Sequence, residues 1–246
     1  MITRFAPTPS GFLHRGNAVN ALLVSWLATA ARGTVALRVD DMDAPRLRAA
    51  YVDDVFAVLA WLDIDWQVGP RDRTDLETQW SSRLRLGRYR TALEHAVSAG
   101  LPVYACTCSR SQQRGPATGG CAGGCRARGV RHEPGRTALR VALPVDTVVT
   151  VGERSVRPAD RLGDFVIWRR DDLPAYQLTS VVDDHDLAVT DVVRGIDLLD
   201  STAAQLFLAP CLGADTFATA RFWHHGLVVE ADGTKLSKSQ QSGGDP

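Results

Sequence analysis

Lysine is almost missing from this chain. Of 28 basic residues only two are lysine, and both fall in one string, Lys235-Leu236-Ser237-Lys238-Ser239. Arginine carries positive charge everywhere else, so this string is where a compact, flexible ammonium is called for rather than a planar fork. With so few lysines, chance placement is the plain alternative. Glutamate is scarce as well, 5 against 23 aspartates, so an aspartate at any one acidic position reflects drift as readily as choice. Long apolar runs are lacking, which excludes a membrane-spanning helix. The opening MITRFAPTPSGF has no basic stretch ahead of an apolar one, which argues against a secretory signal. The expectation is a soluble, cytoplasmic chain with no membrane partner. An excess of either charge is lacking too, since the net charge is zero. The balance therefore gives no vote for a nucleic-acid partner. Two arginine groups, Arg83, Arg85, Arg88 and Arg90, and Arg126, Arg128 and Arg131, read as solvated faces. No internal repeat is present.

What is there suffices for one large α/β domain carrying an insertion: 246 residues, 45% of them hydrophobic. Ile2–Ala6 reads as a strand broken by Pro7-Thr8-Pro9-Ser10-Gly11. Asn17 is placed to cap a helix with Val19, Leu22, Leu23, Trp26, Leu27 and Ala30 at helical spacing, ended by Gly33. Thr34–Val39 reads as a strand with Asp40, Asp41 and Asp43 at its carboxyl end. Arg48–Leu62 reads as a helix presenting Val52, Val55, Leu59 and Leu62, and Gln79–Ala99 as another. Such an opening predicts a Rossmann-like, doubly wound parallel sheet. From Cys106 to Gly135 the chain turns glycine- and cysteine-rich, with short β-type runs at Thr137–Leu143 and Thr147–Val151. Residues 101–165 are therefore expected to form an insertion into a domain made of residues 1–100 and 166–246. Phe165–Trp168 is expected to start the return to the main sheet. Ala175–Val182, Ala188–Val193, Leu198–Leu212 and Phe222–Val229 follow as helix, strand, helix and strand, and residues 240–246 form a polar tail.

Three constellations carry chemistry. In Pro9–Asn17 a strand ends, glycines permit close backbone approach, and a helix begins, so a phosphate can meet N–H groups and the positive end of the helix dipole. His14 would add a hydrogen bond to a phosphate gaining charge in the transition state. Alone, a histidine beside a glycine fits a satisfied surface or core residue better than a ligand. The Lys-x-x-Lys string can close over a triphosphate and stabilise leaving pyrophosphate, or can be a solvated loop. Cys106, Cys108, Cys121 and Cys125 form two close pairs of thiols, a pattern that suits one tetrahedral, structural Zn2+. Unrelated free thiols are the alternative. Cys211, alone in an apolar stretch read as helix, is expected to be plain core.

Taken in order, RFAPTPSGFLHRGN at the start and KLSKS near the end resemble class I aminoacyl-tRNA synthetases. The wording RFAPTPSG, the cluster Leu37–Asp43, Val181-Val182-Asp183-Asp184-His185 and Val193–Leu198 resemble the glutamyl and glutaminyl branch. The cysteine spacing is similar to that of the glutamyl-queuosine tRNA(Asp) synthetases, with Cys121 where those carry Tyr. The resemblance implies ATP-dependent activation of glutamate and its transfer to tRNA, with ATP accompanied by Mg2+ and with tRNA(Asp) bearing queuosine as acceptor. It implies that Arg4 and Arg194 hold the side-chain carboxylate, that Ala6 and Thr8 line that pocket, and that Asp40 takes the α-ammonium with Tyr176 beside it. His14, Gly16 and Asn17 would face ATP, and Lys235 and Lys238 its phosphates. The insertion would serve an acceptor-binding role. An ordinary glutamyl-tRNA synthetase catalytic fragment and a silent RNA-binding paralogue are the alternatives. Two departures stand out: Asp40 replaces the branch's Glu, and His-Arg-Gly-Asn replaces its usual histidine signature.

Overall fold

The computed structural model describes residues 1–43, 47–109, 121 and 124–228. Its first half runs β1 (Ile2–Phe5), α1 (Arg15–Ala30), β2 (Thr34–Leu37), α2 (Ala49–Trp61), the single turn α3 (Arg73–Asp75), α4 (Leu86–Ser98), β3 (Val103–Cys106) and β4 (Ala138–Val141). The second half runs β5 (Val149–Val151), β6 (Arg154–Val156), α5 (Pro158–Arg161), β7 (Phe165–Trp168), α6 (Tyr176–Asp186), β8 (Asp191–Gly195), α7 (Leu199–Leu208), α8 (Asp215–Ala218) and β9 (Arg221–His225). The chain divides into two compact units. The first comprises residues 1–85, 189–197 and 220–246, and the second residues 86–188 and 198–219.

The first unit holds a parallel sheet in the order β2-β1-β8-β9. One side chain in two faces helices: Phe5, Val35, Leu37 and Val193 pack with Val24 and Ala28 of α1 and Val52, Val55 and Leu59 of α2. The sheet grows from β1 to β2 on one side and to β8 on the other. Such a switch point opens a crevice at the carboxyl ends of β1 and β8, where α/β sheets bind ligands. The expected α/β, Rossmann-like class is what the structure shows.

Asp191 staples the β8–β9 edge. It is 1% exposed and accepts from Arg221 Nε at 2.9 Å, Trp223 Nε1 at 3.1 Å and Thr190 Oγ1 at 2.9 Å. Burial pushes its pKa up, but these donors outweigh burial and hold it below the ordinary carboxylate value. A depressed folded-state pKa adds stability above the unfolded value and loses it as pH falls through the folded one. Asp191→Asn is expected to cost about 1 to 2 kcal/mol at neutral pH, because it weakens the hydrogen bonds from Thr190 and Trp223 to a buried carboxylate, while exposed Arg221 is left to solvent. Its melting temperature should also fall less than that of the wild type between pH 5 and pH 3, which thermal melts across that range would check.

The second unit holds an antiparallel sheet, β3-β4-β7, and the hairpin β5-β6. Phe165–Trp168, expected to rejoin the parallel sheet, pairs with β4 instead. A strand of continuous apolar residues suits either sheet, and its partner is set by long-range register that local pattern does not carry.

Four further expectations are corrected. The helix read over Gln79–Ala99 is broken: a π turn spans Leu76–Trp80, a 3-10 turn Ser82–Arg85, and α4 starts at Leu86. The break is made by buried Asp41, which accepts from Ser81 Oγ at 2.5 Å and from the Ser82 amide at 2.9 Å. Asp41 is thus an internal staple. Gly33 does not supply the left-handed residue that ends α1, since Arg32 does at φ 50°. Gly33 is needed for another reason, because a Cβ there would lie 2.7 Å from the Met1 carbonyl oxygen. Cys211 falls in the turn after α7 and is half-buried, not core. On α1 the buried face is Ala21, Val24 and Ala28, while Trp26 stands 69% exposed.

Candidate active site

Helix α1 is capped by His14, not by Asn17. The His14 amide donates to Asn17 Oδ1 at 3.1 Å, and His14 Nδ1 accepts from the Asn17 amide at 3.3 Å, a reciprocal capping box. With Nδ1 accepting, the neutral ring carries its proton on Nε2. The cap therefore fixes His14 as a donor at the N-terminus of a 16-residue helix, where an anion is favoured. The loop ahead of it is pinned from α2: the Leu13 amide donates to Asp54 Oδ2 at 2.7 Å, and Phe12 meets Tyr51 edge-on at 5.0 Å.

Gly16 gives the ring its room. A Cβ there would sit 3.0 Å from His14 Cε1 and 3.1 Å from Nδ1. The same position lies 4.0 Å from Val228 Cβ, so the chain leaving β9 passes beside this turn. Lys235 and Lys238 themselves lie outside the described residues. We expect Gly16→Ala to push the ring off its cap, costing about 1 kcal/mol of stability and about tenfold in activation rate. Melting curves and exchange kinetics on the same preparation check both.

Arg4 and Arg194 come together on one face of the sheet. Thr3 stands opposite Asp191 in register, so the alternation turns Arg4 and Arg194 to the side away from Phe5, Val193 and the α1–α2 core. Both are 3% exposed. Arg4 Nη1 donates to the Val193 carbonyl at 3.4 Å, and the Arg194 guanidinium lies 5.2 Å from the Phe222 ring centre. His224, opposite Arg194 in register, shares that face. Sequence reasoning missed His224, because nothing in its neighbours reveals the β8–β9 register. It also missed Asn20, whose Nδ2 reaches both the Val193 carbonyl and His225 Nε2 at 3.3 Å.

The strand ladder runs past β1 and β2. The Arg38 amide donates to the Phe5 carbonyl at 2.9 Å and the Asp40 amide to the Pro7 carbonyl at 2.9 Å. Asp40 is thereby set beside half-buried Ala6 and exposed Thr8 at the crevice. Its carboxylate is gripped in a fork by Arg38, Nε to Oδ1 at 2.8 Å and Nη2 to Oδ2 at 3.1 Å. Tyr176 belongs to the second unit, where it opens α6 and stands 38% exposed.

The four cysteines converge in the second unit. Their sulfurs all lie within 4.8 Å of one another, and Cys108 and Cys125 are 3.7 Å apart. Tetrahedral thiolates about 2.3 Å from a metal would stand about 3.8 Å apart, so the set fits a metal ion with no position left open. Cys125 accepts from Arg128 Nη2 at 3.2 Å, and Thr107 Oγ1 lies 3.7 Å from its sulfur. Burial alone would raise the Cys125 pKa, but bonds from Thr107, Arg128 and Cys121 bring it down to about 5. Burial pushes Cys106 up to about 12.

The sequence matches the tRNA synthetases class I (E and Q) catalytic domain over residues 1–115 and 127–243. The chain belongs to this family. It is 42% identical to a glutamyl-Q tRNA(Asp) synthetase from Burkholderia cenocepacia, covering 96% of this chain and 79% of that protein. Identity is also 42% to one from Pseudomonas putida, over 98% of this chain and 78% of the relative. A glutamate tRNA ligase from Elizabethkingia meningosepticum, solved with its amino acid, superposes with a TM-score of 0.74 at 23% identity. That match covers 99% of this chain and 53% of the other, and at such identity it shows the fold. This synthetase chain thus spans about half the length of that structure. Among the described residues, no helix is long and apolar enough to cross a membrane.

Proposed function

We propose that this chain activates glutamate with ATP and passes the glutamyl group to tRNA(Asp) bearing queuosine. The observation that carries the reading is the pair of buried guanidiniums, Arg4 and Arg194, on one face of the sheet at its switch point. Two cations there favour a second carboxylate on the amino acid, which each can bind through paired N–H groups. Asp40 would take the α-ammonium, with the Tyr176 hydroxyl added, while Ala6 and Thr8 shape the wall. An oxygen of the glutamate α-carboxylate attacks the α-phosphorus of ATP, and pyrophosphate leaves. His14 donates through Nε2 to a phosphate oxygen as charge builds, and Gly16 and Asn17 hold that geometry. Lys235 and Lys238 would neutralise the departing pyrophosphate, with ATP entering as its Mg2+ complex. The RNA hydroxyl then attacks the acyl carbon, and AMP leaves.

Acceptor choice rests on the names of the 42% identical relatives and on the cysteine spacing. We place the reaction in the cytoplasm, and we assign residues 101–165 to an acceptor-facing insertion in the catalytic domain of residues 1–100 and 166–246. Cys106, Cys108, Cys121 and Cys125 would hold zinc, which supplies folding energy and no reacting position. Metal analysis should find about one zinc per chain, released by a thiol reagent; none in fresh protein removes that assignment. The acceptor is tested with labelled glutamate and two tRNA pools, one from cells that make queuosine and one from cells that do not. Label in the first pool alone supports the reading. Equal labelling of both favours an ordinary glutamyl-tRNA synthetase.

A further inference from the structure

A cleft of about 780 Å3 lies in the second unit beside the cysteine cluster, walled by Val166, Ala175 and Tyr176 and carrying Arg169 and Arg170. Asp171 lines the cleft as well, and its two arginines differ in their partners. Arg169 is paired with Asp171. Arg170 makes no ion pair among the described residues. Its Nη2 donates instead to two backbone carbonyls of the cysteine loop, those of Thr107 and Cys108. Carbonyls hold a guanidinium in place without cancelling its charge. The result is a fixed cation at the rim of a cleft with an exposed aromatic ring in its wall. A phosphate would meet that charge, and a base would meet that ring.

We infer that Arg170 is an RNA-contacting residue that the cysteine loop positions, so that the metal site serves acceptor binding and not activation. The inference rests on the proposed function. It deepens that function by naming the residue that grips the acceptor strand and the part that holds it.

The test uses the whole chain and unfractionated tRNA. Filter binding across salt concentrations should show Arg170→Ala weakening RNA on the order of tenfold and lowering the salt slope by about one, as for one lost phosphate contact. Arg170→Lys, which keeps the charge, should recover part of the affinity and the slope. Zinc content and ATP–pyrophosphate exchange without RNA should match the wild type within about twofold. Unchanged RNA affinity and slope would overturn the inference. A raised KM for ATP would move the phosphate from RNA to the nucleotide and overturn it too. Loss of zinc in Arg170→Ala would reduce Arg170 to a structural role. Absence of exchange in the wild type would instead strike the proposed function, so the two failures are distinguishable.

Discussion

Arg194→Ala should lower kcat/KM for glutamate in ATP–pyrophosphate exchange by about a thousandfold, on the order of 4 kcal/mol. Arg194 is buried on β8, on the same sheet face as Arg4. On the proposed assignment, removing one guanidinium leaves a desolvated carboxylate half-paired, and that penalty exceeds the net worth of a surface ion pair. The loss should fall mainly on KM for glutamate, since the side-chain carboxylate is bound alike in ground and transition states. KM for ATP should hardly move. Arg4→Ala should behave the same way, and the double variant should lose less than the sum, because both singles strand one substrate group. A loss carried by kcat alone would place Arg194 elsewhere in the chemistry.

His14→Ala should do the opposite. The expected fall in kcat is about a hundredfold, the effect of removing one preorganised donor from a transition state that gains charge. Glutamate affinity should change less than twofold or so. The cap contributes a further stability loss of about 1 kcal/mol, so the assay belongs well below the melting temperature. His14→Asn would separate the two roles, since asparagine caps a helix well but places no Nε2–H at the phosphate. It should recover stability and not rate. Equal losses in rate and affinity would make His14 a structural residue.

Much of this was legible in the residues. The Pro-Thr-Pro-Ser-Gly break, the helical spacing of Val52, Val55 and Leu59, and the aspartates after β2 predict strand, loop, helix and strand at the places the structure shows. Four close-spaced cysteines predict a cluster, and they converge. What stayed hidden depends on distant partners. The split of the helix read over residues 79–99 depends on Asp41, some forty positions away, reaching Ser81 and Ser82. The destination of Phe165–Trp168 depends on Ala138–Val141. The cap of α1 was misassigned because asparagine is the better intrinsic N-cap, yet here it sits at the third helical position and returns the bond to His14. At the site, Asp40 was read as an acid standing where the branch carries Glu, and its neighbour Arg38 was not read as its partner. Arg38 engages both Asp40 oxygens, so the ammonium proposed to bind there would share that carboxylate. Asp40→Glu, one methylene longer, is the natural variant for asking whether reach or partnership sets amino-acid choice.

The most direct test of the central claim is ATP–pyrophosphate exchange by the purified chain with glutamate, aspartate and glutamine in parallel, each without and with bulk tRNA. Exchange with glutamate alone, and without RNA, is the predicted result. No exchange with any of the three, with or without RNA, would contradict the claim that this chain activates glutamate.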